Sequence, residues 1–381
     1  MSERLNNYKN QLFYLAYFIM ILNSSLMRNI NSKISKILIV VYIILFILNI
    51  TMKRYKIKEF IFIHIMIALG GIVFIKSYEL QILILIILIL SSSEIKIDKV
   101  IKIDFFTRLI GVILTILLCA VGVTKDFTMY RYDIAGNIID IRHSLGFIHP
   151  NTLSIQIFML IMSYVYLRYK YIKLNEYIIL FFTMYIFTEI TDSRTPMICT
   201  AIALIFLLIF KKFKIINNNI VRNIIIYIVP ICTIISFLLI YLYKYDMQIV
   251  NIVNKLLSGR IKSANYFLET YGISLLGQNI KLVSILDYQS TSEQMRILDN
   301  LYASLSIRSG MIFLILYNIL YVKLNKYLIN NSYIYECIII TVISLYGLVE
   351  KAPINSELNF TLILLGLVIF RRKLNYNIDI K

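Results

Sequence analysis

Ile37-Leu38-Ile39-Val40-Val41-Tyr42-Ile43-Ile44-Leu45-Phe46-Ile47-Leu48-Asn49-Ile50-Thr51-Met52 decides the fold class. The run carries no charge and has no alternation between polar and apolar residues, so it does not read as a strand of an outer-membrane barrel. It is long enough to approach the roughly 30 Å of a hydrocarbon core, where a helix satisfies its own backbone hydrogen bonds. Comparable runs recur on both sides of it. The 381 residues are 59% hydrophobic with a mean hydropathy of +0.78, values that exclude a soluble globular chain of this length.

The chain reads as an all-α integral membrane protein with about 12 transmembrane helices. The expected spans are 11–27, 37–52, 60–75, 78–92, 105–123, 147–167, 177–191, 196–210, 222–243, 301–322, 333–349 and 359–370. The whole of 1–381 is expected to form a single polytopic membrane domain. Its leader is polar and mildly basic without a small-residue cleavage site, so the first span is expected to be retained.

The formal net charge of +18 invites a nucleic-acid reading, but the placement of the charge argues against it. Lys and Arg gather in alternate short connections: Lys53, Arg54, Lys56 and Lys58; Arg168, Lys170 and Lys173; Lys211, Lys212, Lys214 and Arg222; Arg371, Arg372 and Lys373. The positive-inside rule then puts both termini on the cytoplasmic side of a membrane that the chain crosses many times. Cys119, Cys199, Cys232 and Cys337 fall singly inside apolar runs, a pattern of small packing residues without metal or disulfide spacing. Gly70-Gly71 reads as a close-packing point between helices, and His64 as a hydrogen-bonded core residue.

One connection is long. Residues 244–300 form a large external loop between the ninth and tenth spans, and Leu256, Leu257, Ile261, Tyr266, Phe267, Leu268, Leu275 and Leu276 recur in it at roughly helical spacing. One or two short amphipathic helices are expected there.

On this topology four polar segments lie on the outer face. The densest is Arg142-His143-Ser144-Leu145-Gly146-Phe147-Ile148-His149-Pro150-Asn151, which holds two of the three histidines. The others are Thr191-Asp192-Ser193-Arg194-Thr195; Ser258-Gly259-Arg260, followed by Gly277; and Asp299-Asn300-Leu301-Tyr302, followed by Arg308-Ser309-Gly310. Guanidinium forks bind phosphate oxygens in bidentate fashion and hold their charge in low dielectric. Each arginine has a plainer reading, snorkelling to headgroups or pairing with a carboxylate, as Arg194 can with Asp192. His149-Pro150-Asn151 can likewise be a helix cap.

With these segments the chain resembles the bacterial Wzy-type polysaccharide polymerases, which join O-antigen and capsular repeat units. Arg142 to Asn151 is similar to an Arg-x-Ser-x-Gly-Phe-x-His-Pro-Asn stretch of that family, Thr191 to Thr195 to a Thr-x-Ser-Arg turn, and Gly259-Arg260 with Gly277 to a Gly-Arg…Gly pattern opening the large loop. Asp299-Asn300-x-Tyr302 stands where related O-antigen ligases carry His-Asn-x-x-Leu…Gly, so Asp replaces a His.

The resemblance implies a GT-C-like polymerase or ligase architecture and metal-independent glycosyl transfer between two undecaprenyl-diphosphate-linked oligosaccharides on the outer face of the membrane. It implies no cofactor. The implied partners are the lipid-linked oligosaccharides, membrane lipids, a chain-length regulator and a flippase. Arg142, His143, Asn151, Arg194, Arg260, Asn300, Tyr302 and Arg308 are the expected substrate-binding residues, and His149 or Asp299 the expected base. Two rivals are a ligase-type membrane glycosyltransferase and a polysaccharide flippase. A transporter would place ionisable residues near the membrane midplane, where the expected spans are almost purely apolar.

Overall fold

The computed structural model describes residues 2–132, 138–212, 218–283 and 297–370. Lys214, Arg371, Arg372, Lys373 and the loop interior from 284 to 296 lie outside the described residues. The chain is nearly all-α, and the sheet among the described residues is one two-stranded antiparallel hairpin. That hairpin, Met129–Tyr132 with Ile138–Arg142, pairs Met129 with Arg142 and was not foreseen. Asparagine caps some of the helices. Asn31 accepts N–H bonds from Lys33 and Ile34 at the head of Ser32–Thr51, and Asn218 does the same ahead of Asn219–Ile226. Such caps are each worth about 1 kcal/mol.

Among the described residues six helices are long and apolar enough to cross a membrane: Ser32–Thr51, Ile57–Ser77, Ile97–Ala120, Pro150–Arg168, Arg194–Lys212 and Met311–Asn330. Asn219–Ile226 and Ile228–Tyr243 make a seventh if the pair, bent by 68° at Tyr227, is one span. Leu80–Ser91, Ile334–Tyr346 and Phe360–Ile369 are apolar but shorter. The count of twelve is therefore not reached on this criterion, because hydropathy registers where a run is greasy and not where its backbone bends or stops. Several of the long helices turn apolar side chains outward, as those of a soluble protein do not. Ile37, Val40, Ile44 and Ile47 are exposed on Ser32–Thr51, whose apolar stretch is only 28% buried, while polar Asn49 on the same helix is buried. This is the surface of a helical membrane protein.

The described residues form two compact units. The first takes those of 1–54 and 90–213. Its Pro150–Arg168 helix is the most buried, packed against Ile97–Ala120 and Leu174–Thr191. Here the expected start of the fifth span at 105 is corrected. The helix begins at Ile97, which places Asp104 and Arg108 well inside it. Both are fully buried: Arg108 donates Nη2–H to Asp104 Oδ1 at 2.6 Å, Nε–H to Asp104 Oδ2 at 3.1 Å, and bonds Gln156 Oε1. Tyr17 and Ser163 donate to the same carboxylate at 3.0 and 2.7 Å. The expectation that the span interiors are almost purely apolar fails at this network. The run still reads as apolar because the Ile, Leu, Val and Phe residues around the pair outweigh one Asp and one Arg.

The second unit takes the described residues of 55–89 and 214–370. The long loop carries two short helices, Gln248–Leu256 and Arg260–Tyr271, as its spacing predicts. It is no loose lid. Ala264 and Phe267 join Ile240, Ile280, Leu298, Ala303 and Ile307 in one buried cluster.

The tenth expected span, 301–322, is also corrected. Leu301–Ser304 continues as the π-helical turn Leu305–Ser309, stops at Gly310, and a new helix runs from Met311 to Asn330. Gly310 has φ 105° and ψ 146°, outside the range of residues with a side chain, and a Cβ there would stand 2.5 Å from the Leu275 carbonyl oxygen. Backbone groups freed by the break are taken up by the loop: Gln278 N–H donates to Arg308 O at 3.0 Å and Met311 N–H to Ser274 O at 2.8 Å. Gly310→Ala combines a backbone strain of about 1–3 kcal/mol with that overlap. We expect several-fold less protein in the membrane, read by immunoblot, with the loss largest at elevated growth temperature.

Candidate functional site

The expected site residues fall into two groups, one in each unit. In the first unit, the Arg142–Asn151 segment folds back on the Thr191–Thr195 turn. Arg142, the last residue of its strand, donates Nε–H to Thr191 O at 2.8 Å and Nη2–H to Asn151 Oδ1 at 2.5 Å and Ser193 Oγ at 3.2 Å. His143 N–H bonds Ile190 O at 2.9 Å, so two successive residues satisfy carbonyls at the C-terminal end of Leu174–Thr191. Ser193 Oγ–H in turn donates to Asn151 Oδ1 at 2.8 Å. Gly146, at φ 90°, lets the turn lie against Ile97–Ala120: a Cβ would meet Thr115 O and Cys119 Cβ at 2.9 Å.

His149 has the plainer of its two roles. It is the N-cap of Pro150–Arg168, its Nδ1 accepting the Asn151 N–H at 3.0 Å, with Pro150 in the first helical turn. Burial, and then the Arg142 charge, push its pKa down from 6.5 to about 4. The neutral ring thus spends its Nδ1 lone pair on the helix and presents N–H at Nε2, a donor and not a base. A folded pKa below the unfolded one means that between pH 6.5 and 4 the unfolded chain binds a proton the native chain refuses, so stability falls as pH drops through that window. His149→Asn supplies a capping oxygen in place of the ring Nδ1 and removes the titration. Melting curves in detergent from pH 7.5 to 4 are expected to decline less steeply for this variant.

His143 is different. Its Nδ1 lies 2.6 Å from Asp126 Oδ2. Asp126 is itself held by N–H bonds from Ser144 and Leu145, both at 2.9 Å. Burial pushes the Asp126 carboxyl up, but the His143 bond and the Leu145 and Ser144 amides outweigh it and hold the group below its usual range. Asp126 escaped the sequence reading because a lone Asp in a short connection carries no motif. Arg194 stands apart on the surface, 74% exposed and 3.4 Å from Asp192, which is the plain surface pairing.

The second unit gathers the rest. Arg260 opens the Arg260–Tyr271 helix and pairs with Glu350 and, at 3.5 Å, with Asp299. Arg308 pairs with Glu79, which also accepts from Ser309 Oγ–H at 3.1 Å. Lys351 feels the charges of Arg308, Glu79, Asp299 and Glu350, and burial followed by Arg308 draws its pKa down. Three cations thus meet three carboxylates. Burial raises the Asp299 pKa, and Arg260 and Lys351 offset this only in part. The arginines come with carboxylate partners that a bound anion has to displace or share. Asn300 caps Leu301–Ser304, accepting from Ala303 N–H at 2.9 Å and donating to Leu348 O at 2.9 Å, and Tyr302 is buried with its hydroxyl on Ser344 O at 2.8 Å. Both are placed as structural supports. Glu79, Glu350 and Lys351 were missed, although single charges bordering apolar runs are a usable signal.

No family model, curated protein or solved structure matches the chain.

The segments 142–151 and 191–195 meet at Arg142, and the segments around Gly259–Gly277 and 299–310 meet at Arg260 and along the 274–278 backbone. Among the described residues, no group of three or more His, Cys, Asp or Glu could hold a metal ion.

Proposed function

We propose that the chain is a membrane glycosyltransferase that polymerises undecaprenyl-diphosphate-linked oligosaccharide repeat units on the outer face of the bacterial cytoplasmic membrane, with both termini cytoplasmic. One observation carries the reading. Four short polar segments, scattered among greasy helices, fold together in pairs, each pair organised by an arginine: Arg142 in one unit and Arg260 in the other. Guanidinium groups at headgroup depth suit a lipid diphosphate, and stabilising that leaving group is the main electrostatic task of such a transfer. Asn151, Arg194 and Arg308 complete the proposed binding set, and Asn300 and Tyr302 hold the segment that carries Arg308 in place.

A transporter is the second reading, and the buried Asp104–Arg108 pair favours it, since an ionisable pair inside a span is a common feature of transport paths. Deleting the gene and sizing the surface glycan on gels separates the two. A polymerase deletion leaves single repeat units at the surface, whereas a flippase deletion leaves none. Surface glycan of normal length would remove the polymerase reading.

A further inference from the structure

Resting on that glycosyltransferase reading, we propose that His143 is the general base that deprotonates the acceptor sugar hydroxyl, and that Asp126 is its positioning residue. The two bases expected from the sequence are both engaged elsewhere, His149 capping a helix with its Nδ1 and Asp299 paired with Arg260. The His143–Asp126 pair has the opposite arrangement. An ionised carboxylate only accepts, so the 2.6 Å contact assigns the proton to Nδ1 and leaves the lone pair of the neutral ring on Nε2. Asp126 cannot swing away, because Ser144 and Leu145 hold its other oxygen through backbone N–H bonds. The imidazole is 42% exposed, open to a hydroxyl from outside.

The neighbours are consistent with this use. Arg142 precedes His143 and turns its fork to Thr191, Asn151 and Ser193, which sets a guanidinium one residue from the base. Cys119, at the end of Ile97–Ala120, has a thiol that feels the Asp126 charge. In the step itself the acceptor O–H proton passes to Nε2 as the acceptor oxygen bonds the donor's anomeric carbon. The anomeric C–O bond to the lipid diphosphate breaks, and the diphosphate leaves with the electron pair. The imidazolium, stabilised by Asp126, then releases its proton to water.

The test uses the full chain in proteoliposomes supplied with undecaprenyl-diphosphate-linked oligosaccharide, with initial elongation rates taken from pH 5 to 9. The wild type is expected to show an acid limb as the base protonates. His143→Gln should lose roughly 100- to 10,000-fold in rate and lose that limb. Asp126→Asn, which keeps the shape but not the tautomer, should lose about tenfold or more and move the limb's midpoint. In His143→Gly, added imidazole should restore elongation, a result that a purely structural histidine would not give. The dyad is overturned if His143→Gln keeps the acid limb, at whatever rate, or if imidazole fails to restore His143→Gly. A wild-type protein that elongates nothing under these conditions instead brings down the glycosyl-transfer reading, and the dyad with it.

Discussion

Arg260→Ala is expected to abolish chain elongation. The guanidinium sits at the head of a loop helix, between Glu350 and Asp299, only 18% exposed. Stripped away, it takes with it the charge proposed to meet the leaving diphosphate, a loss of roughly 100- to 1,000-fold for a single preorganised donor. It also strands two carboxylates, at a cost of about 3 kcal/mol where such partners are buried. Two companion variants keep the effects apart. Arg260→Lys retains the charge but not the planar fork, so it should recover most of the protein in the membrane and little of the activity. Arg260→Ala with Glu350→Gln removes one stranded charge and should restore abundance without elongation. Elongation at wild-type rate in Arg260→Ala would end the assignment of an anion site in this unit.

The second large effect is on stability. Arg108→Leu or Asp104→Ala should each destabilise the first unit by about 3–5 kcal/mol, because either leaves an uncompensated charge among fully buried groups. Arg108→Leu also leaves Gln156 Oε1 without its guanidinium, and Asp104→Ala leaves Tyr17 and Ser163 without their acceptor. Replacing both, as Asp104→Leu with Arg108→Met, should recover much of the loss, since buried ion pairs exchange for apolar residues with little net cost. Unfolding in mixed micelles measures the three variants, and equal destabilisation of the single and double variants would contradict the account. The double variant serves the functional question too: a well-folded protein that no longer moves glycan across the membrane would favour the transporter reading.

Several features were legible from residue order. The two short helices of the long loop followed from the spacing of Leu256, Ile261 and Phe267, and the helix cap from His149-Pro150-Asn151. Others were not. Arg308 looked like a charge deep in a span, but Gly310 ends the helix just beyond it and Glu79, more than two hundred residues earlier, pairs with it. Asp126 meets His143 only through the fold, across the strand hairpin.

By itself the sequence determined a greasy helical chain made for a membrane, because burying backbone in hydrocarbon leaves a continuous apolar run little choice but a helix. It also marked the four polar segments, since charge among apolar residues is conspicuous wherever it falls. Tertiary structure alone decided where helices break, which carboxylate holds which arginine, and which histidine caps a helix while the other meets a carboxylate. Those outcomes depend on partners brought together through space, and hydrogen-bond geometry over 3 Å carries no trace in the order of residues along the chain.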